Sequence, residues 1–218
     1  MSEYKRKSKI ETNTKERGNF STTFAKIYFA KTKESGLPIY PEERADEILG
    51  CKNEKVKREK SSVWALLSFA VKDAFGKELT SYNFKKKENG KWVSDGFYFS
   101  LTHSNGVAGV AISNAPIGVD IENIAMFDKK IGSKKHAFLK KVCSDEEYKT
   151  YKNAPISRLS ALWAAKESAF KRSDDNYFDY KKYKTDFLKS NEMKLFKEEY
   201  SVSVCAENDC YIEYFIVE

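Results

Sequence analysis

Histidine is scarce in this sequence: there are two, His103 and His136, in 218 residues. Cysteine is sparse as well. Cys51, Cys143, Cys205 and Cys210 are irregularly spaced, unlike the dense framework of a disulfide-stapled secreted chain. Cys205 and Cys210 flank Ala-Glu-Asn-Asp, which reads as a hairpin turn. A zinc site there would need two further ligands, and neither histidine is placed to supply one, so reduced thiols are expected. The N-terminal stretch MSEYKRKSKIETNTKERGNF is charged and has no apolar core, so a signal peptide is not expected. The longest apolar run, near Val63–Val71, is too short to cross a bilayer. There is no low-complexity segment, no long linker and no repeated sequence. These absences point to a cytoplasmic protein without a membrane partner.

What is present is the material of a folded domain. Hydrophobic residues make up 41% and aromatics 14%, too much for a disordered chain. The length suffices for one large domain or two small ones. The formal net charge is +7 and the isoelectric point about 9.0. That balance favours polyanionic partners without choosing among nucleic acid, acidic protein and phosphorylated cofactor.

The pattern along the chain is mixed α+β. Residues 1 to 22 are polar and expected to be flexible. Phe24–Ala30 reads as a strand, and 42–75 as two helices or one broken helix, ended by Gly76. Asn89-Gly90 marks a turn. Strands are expected at Phe97–Leu101, Val107–Ser113 and Ile117–Ile121. Helices follow at Lys134–Lys152 and Ser157–Lys171. Further strands are expected at Tyr183–Asp186, Glu192–Glu198, Tyr200–Ala206 and Tyr211–Val217, the last two joined through Glu207–Asp209. Each half runs strand, helices, strands. The boundary falls near Asn114–Pro116, giving an N-terminal half of 1–115 and a C-terminal half of 116–218.

Three segments carry polar side chains suited to chemistry. In Gly118-Val119-Asp120-Ile121-Glu122, residues two apart on a strand share a face. Asp120 and Glu122 then stand side by side while Val119 and Ile121 turn to the core. Two close carboxylates repel unless a cation lies between them, and hard oxygen donors suit magnesium. Alone, the pair is more simply a solvated acidic strand end. In Trp163-Ala-Ala-Lys166-Glu167-Ser168-Ala-Phe170-Lys171, Trp163, Glu167 and Lys171 share one helix face. Glu167 can be a third ligand or a base, and Lys171 and Lys166 can reach an anion; a routine Glu–Lys surface pair is the plainer alternative. In Phe99–Gly106, a strand runs into a polar turn bearing Thr102, His103 and Ser104, which can offer donors to a phosphate.

Taken together, these segments resemble the Sfp-type 4′-phosphopantetheinyl transferases in order and spacing. That family has a Ser-His-Ser-type turn, then a Gly-(Val/Ile)-Asp-Ile-Glu strand, then a Trp-x-x-Lys-Glu-(Ser/Ala)-x-x-Lys helix. Here these are Leu101–Ser104, Gly118–Glu122 and Trp163–Lys171. The specific matches lie between Gly90 and Lys171. The resemblance implies two similar α/β halves with the active site in the cleft between them. It implies magnesium on Asp120, Glu122 and Glu167, with Glu167 also in the place of the general base. Lys166 and Lys171 match lysines near the coenzyme A pyrophosphate, with Lys171 also counted as catalytic. Thr102 and His103 match the turn near the 3′-phosphate. Lys91 matches the lysine of a Gly-Lys-Pro segment in which Trp92 here replaces proline. Arg58 or Lys60 would be the basic residue that the first-half helix sets against the 3′-phosphate. Cys143-Ser144-Asp145-Glu146-Glu147 resembles the family's Phe-Ser-x-x-Glu segment, with the cysteine read as packing.

The implied activity is transfer of 4′-phosphopantetheine from coenzyme A to a serine of an acidic apo acyl or peptidyl carrier protein, by a monomer. A different magnesium-dependent phosphoryl-transfer or nucleotide-hydrolysing enzyme would use the same carboxylates. A nucleic-acid partner is not expected, because the sequence has no helix-turn-helix, zinc finger or aromatic stacking motif.

Overall fold

The strands and helices divide into two units. In a computed structural model, the described residues are 4–10, 23–33, 39–184 and 189–218. The strands are β1 Arg6–Ile10, β2 Phe24–Lys31, β3 Phe84–Lys86, β4 Trp92–Ser94, β5 Tyr98–Ser104, β6 Val107–Ser113, β7 Gly118–Asn123, β8 Lys189–Leu195, β9 Glu198–Cys205 and β10 Tyr211–Val217. The helices are α1 Glu42–Leu49, α2 Glu54–Phe75, α3 Ile124–Ile131, α4 Lys135–Val142, α5 Asp145–Tyr151 and α6 Ile156–Arg172. This is an α+β protein. Among the described residues no helix is long and apolar enough to cross a membrane.

One unit takes in the described residues up to Ile117 together with 206–218; the other is Gly118–Cys205. The final strand therefore belongs with the first unit rather than with the rest of the second half. In the first unit the sheet order is β1-β10-β2-β6-β5, with β10 parallel to β2 and the other pairs antiparallel. Helix α2 lies against this sheet through Val63, Trp64, Leu66, Leu67, Ala70 and Val71, all buried. Each of these valine and leucine side chains contributes about 1.5–3 kcal/mol when fully buried. Asn53 caps α2 by accepting from the Val56 amide, and Gly76 ends it in the left-handed region at φ 69°, a conformation glycine adopts without cost. Trp92 packs edge-on to Trp64 at 5.9 Å, so it serves the core of this unit.

Several expectations are revised. Tyr4 is buried and Arg6–Ile10 pairs with β10, so the start of the chain adds an edge strand; 11–22 lies outside the described residues. Strand β5 runs on through Thr102 and His103 to Ser104, because the ladder with β6 continues to Ser104 opposite Val107. The turn is only Asn105–Gly106, both at positive φ, as a two-residue hairpin requires. The expected helix 134–152 is two helices. Ser144 caps the second in a capping box with Glu147, and this local bonding stops the first. Helix α3 was not expected at all.

Strand β8 starts and ends three residues earlier than expected, at Lys189–Leu195. Its turn is Phe196–Lys197, both at positive φ without glycine, so no glycine marks it in the sequence. The last two strands do not form a hairpin. Strand β9 is already paired on both sides by β7 and β8, and β10 pairs with β1 and β2 instead. The expected strand Tyr183–Asp186 lies partly outside the described residues, and Tyr183 and Lys184 are not in a strand.

Candidate functional site

The acidic residues come together within the Gly118–Cys205 unit. Its sheet, ordered β7-β9-β8, carries α6 across it. On β7, Val119 and Ile121 are buried, as the alternation predicts. Helix α6 lies against the sheet through small residues: Ser160, Ala164, Ala165 and Ser168 are buried, as are Ser201 and Ser203 of β9. The Ser168 hydroxyl donates to the Ala165 carbonyl and lies 3.2 Å from the Ser203 hydroxyl. The approach is closest at Gly118, where an added Cβ would lie 1.8 Å from the Ser168 carbonyl oxygen and 2.8 Å from the Arg172 amide nitrogen. Absence of a side chain at this position lets α6 come down onto β7.

That approach brings Glu167 and Lys171 of α6 to Asp120 and Glu122 of β7. Lys171 Nζ donates to Asp120 Oδ1 at 2.6 Å and to the Val119 carbonyl at 3.3 Å, and lies 3.9 Å from Glu167 Oε2. Burial pushes the Glu122 carboxyl up to about 7, and the charges of Asp120 and Glu167 add to the rise. Glu167 is raised as well, by burial first and by Asp120 second. Lys130 of α3 and Lys171 oppose both shifts. For Lys171 itself, burial works against the charged form, but Asp120 and Glu167 outweigh it and its pKa rises.

The cluster is therefore short of positive charge even with two lysines facing it. Its donors are all carboxylate oxygens, the chemistry of a hard divalent cation rather than of zinc. Among the described residues, no three His, Cys, Asp or Glu side chains are drawn in tightly enough to hold a metal ion as they stand; an ammonium stands against Asp120 instead. Lys130 was missed in the sequence because helix α3 was missed, and the only available signal was Asn123 as a cap after β7.

Lys166 goes elsewhere. Its side chain is 0% exposed, and Nζ donates to Glu147 Oε1 and Oε2 at 2.9 and 3.0 Å, to the Tyr180 carbonyl at 3.0 Å and to the Tyr183 carbonyl at 2.7 Å. A lysine has three protons, and four acceptors already surround them, so Lys166 is not presented to a phosphate. Glu147 also accepts from the Ser144 amide at 3.0 Å. The Ser144–Glu147 segment and the Lys166-Glu167 segment, read separately in the sequence, are thus joined by hydrogen bonds to Glu147. Cys143 packs beside it, buried with Phe127, Leu139, Val142, Leu159 and Leu162, and burial pushes its thiol up to about 11.

The remaining expected residues lie in the first unit. His103 Nδ1 is 3.5 Å from Glu59 Oε2 on α2, and the imidazole is 43% exposed. Arg58 and Lys60 flank that glutamate on the helix; Lys60 Nζ contacts Cys51 Sγ at 3.4 Å. Thr102 is buried, because it alternates with His103 on β5 and faces the other way. It is not brought together with His103. Lys91 is half-buried, next to the Asn89–Gly90 turn that joins β3 and β4.

The fold and these side chains define an α+β protein with a carboxylate centre carried by one strand and one helix. A family model described as the 4′-phosphopantetheinyl transferase superfamily matches residues 116–212, a stretch that includes the whole centre. A holo-[acyl-carrier-protein] synthase of Mycoplasma mobile is 33% identical over 101 residues, 46% of this chain and 86% of that protein. A 4′-phosphopantetheinyl transferase of Aneurinibacillus migulanus is 34% identical over 93 residues, 40% of this chain and 36% of that protein. Another, of Bacillus pumilus, is 28% identical over 113 residues, 49% of this chain and 46% of that protein. The match therefore spans less than half the length of the two transferases and most of the synthase. The chain belongs to the 4′-phosphopantetheinyl transferase superfamily.

Proposed function

We propose that this protein transfers the 4′-phosphopantetheine arm of coenzyme A to a serine of an apo acyl or peptidyl carrier protein. The observation that carries the proposal is the meeting of Asp120 and Glu122 on β7 with Glu167 and Lys171 on α6, inside the segment that matches the family. The serine oxygen forms a bond to the phosphorus on the pantetheine side. The bond from that phosphorus to the bridging oxygen breaks, and 3′,5′-ADP leaves with the electron pair.

Asp120, Glu122 and Glu167 would hold magnesium, which when bound supplies charge neutralisation at the pyrophosphate. Glu167 would accept the serine proton, a contribution of about 10²–10⁴-fold. Lys171 adds a fixed positive charge for the phosphates. His103, held by Glu59, is the candidate for the coenzyme's 3′-phosphate, with Arg58 and Lys60 beside that glutamate and Lys91 as a further basic contact. An acidic carrier would complement the formal charge of +7 and be steered by it. The protein is expected to act as a monomer in the cytoplasm, without nucleic acid or membrane.

A thermal-shift comparison tests the substrate class. Coenzyme A with magnesium should stabilise the protein, by about 2.7 kcal/mol at a hundred times the dissociation constant. Stabilisation by ATP with magnesium and none by coenzyme A would point to a nucleotide-hydrolysing enzyme and contradict the proposal.

A further inference from the structure

We propose that Glu59 is a positioning residue for coenzyme recognition: it holds His103 as a charged imidazolium whose outer edge selects a 3′-phosphate. This rests on the reading of His103 given under Proposed function and adds the group that sets the charge and orientation of that ring.

The pair is built where α2 lies against β5. Alternation along β5 puts Phe99, Leu101 and His103 on one face, and Phe99 and Leu101 pack in the core with α2. One turn before Val63, α2 brings Glu59 to the end of that row. Glu59 is buried, whereas Glu54 at the start of the same helix is exposed. Its carboxylate is 10% exposed, and Oε2 lies 3.5 Å from His103 Nδ1. The plainer alternative is a helix surface pair with Lys55, and such pairs are worth little. Lys55 Nζ is 3.9 Å away on a side chain that is 64% exposed, which compensates a buried carboxylate poorly. The imidazole is nearer and comes from another element.

The surroundings of the ring are uncharged or turn elsewhere. In register with His103 stand Ala108 on β6 and, beyond it, Ala30 on β2. Lys33 reaches α2 through its backbone, bonded to the Ser62 hydroxyl, but its ammonium lies over the Tyr4 ring at 4.1 Å. Lys60 Nζ turns to Cys51 Sγ, and Arg58 is exposed. A carboxylate at this distance favours the protonated ring. It also fixes which nitrogen faces it, so Nε2 lies on the side away from the glutamate. A neutral imidazole donates from one nitrogen and accepts at the other. With Nδ1–H turned to Glu59, a neutral ring would offer a phosphate a lone pair. The imidazolium donates from both, Nδ1 to Glu59 and Nε2 to a phosphate oxygen, and a charged donor bonds about twice as strongly as a neutral one.

The test is calorimetric titration of the full chain with coenzyme A and with dephospho-coenzyme A, which lacks the 3′-phosphate. Wild type, Glu59→Gln and His103→Ala are compared at about pH 7.5, above the ordinary imidazole range. Glu59→Gln should bind coenzyme A about tenfold more weakly than the wild type, the loss of one charge-assisted bond, with dephospho-coenzyme A unaffected. At about pH 5.5, where an ordinary imidazole is protonated, Glu59→Gln should approach the wild type while His103→Ala should not. Equal or tighter coenzyme A binding by Glu59→Gln overturns the inference, because the acid then only repels phosphate. An equal loss for both ligands, or a gap that persists at the lower pH, also overturns it, because the acid is then structural. Unchanged binding by His103→Ala removes the inference while coenzyme A binding leaves the transfer reading standing. No binding of coenzyme A by the wild type contradicts both. Should Glu59→Gln fold poorly, the imidazole ¹⁵N resonances of His103 in the wild type decide: they should titrate above the ordinary imidazole range, and titration within or below it overturns the inference.

Discussion

Replacing Gly118 with alanine should destabilise the Gly118–Cys205 unit by about 3 kcal/mol or more, at or beyond the upper end for overpacking a core, and should remove most of the transfer activity. The obstacle is backbone: the new Cβ would lie 1.8 Å from the Ser168 carbonyl oxygen and 2.8 Å from the Arg172 amide nitrogen. No rotamer change relieves such a contact, so α6 must draw back from β7. Glu167 and Lys171 move with the helix while Asp120 and Glu122 stay on the strand. A displacement of 1 Å at a reacting centre can cost about 10²-fold in rate. Thermal melting should show a fall of roughly 6–12 °C, taking 2–4 °C per kcal/mol for a chain of this size. An alanine variant with the wild-type melting temperature and wild-type turnover would show that the helix does not depend on this approach.

Lys166→Met should cost about 3–5 kcal/mol, the range for removing one partner of a buried ion pair. Methionine has similar bulk but no donors. Glu147, with a side chain 13% exposed, would be left charged without its cation, and the Tyr180 and Tyr183 carbonyls would lose their donor. The double variant Lys166→Met with Glu147→Gln should recover part of the loss, because the uncompensated charge is gone. Denaturant melts of the two variants give the comparison. If Lys166 instead served the coenzyme phosphates, Lys166→Met would leave stability within about 0.5 kcal/mol and raise the KM for coenzyme A alone. The buried geometry predicts the opposite pattern.

The sequence revealed much of this design where local pattern decides structure. Alternation in Gly118–Glu122 put Val119 and Ile121 in the core and the acids on one face. Helical spacing put Glu167 and Lys171 on one side of α6. The expected strands Val107–Ser113 and Tyr211–Val217 match β6 and β10 residue for residue. What was not legible depended on partners distant in sequence. Nothing local distinguishes a lysine that reaches a phosphate from one that turns inward to Glu147 and two carbonyls, which is why Lys166 was misplaced. A Glu-Asn-Asp turn permits a hairpin, and only the occupied edges of β9 send β10 to pair with β2. Thr102 was grouped with His103 because the strand end was set too early; once β5 continues to Ser104, alternation separates them.

The central claim is that the Asp120, Glu122 and Glu167 carboxylates drive phosphopantetheine transfer. The most direct measurement is the mass of an apo carrier protein after incubation with the full chain, coenzyme A and magnesium, run beside the same reaction with Asp120→Ala. The account predicts that the carrier gains the mass of one phosphopantetheine arm with the wild type and stays unmodified with a folded Asp120→Ala variant. A carrier left unmodified by the wild type, or modified at the same rate by Asp120→Ala, would contradict it.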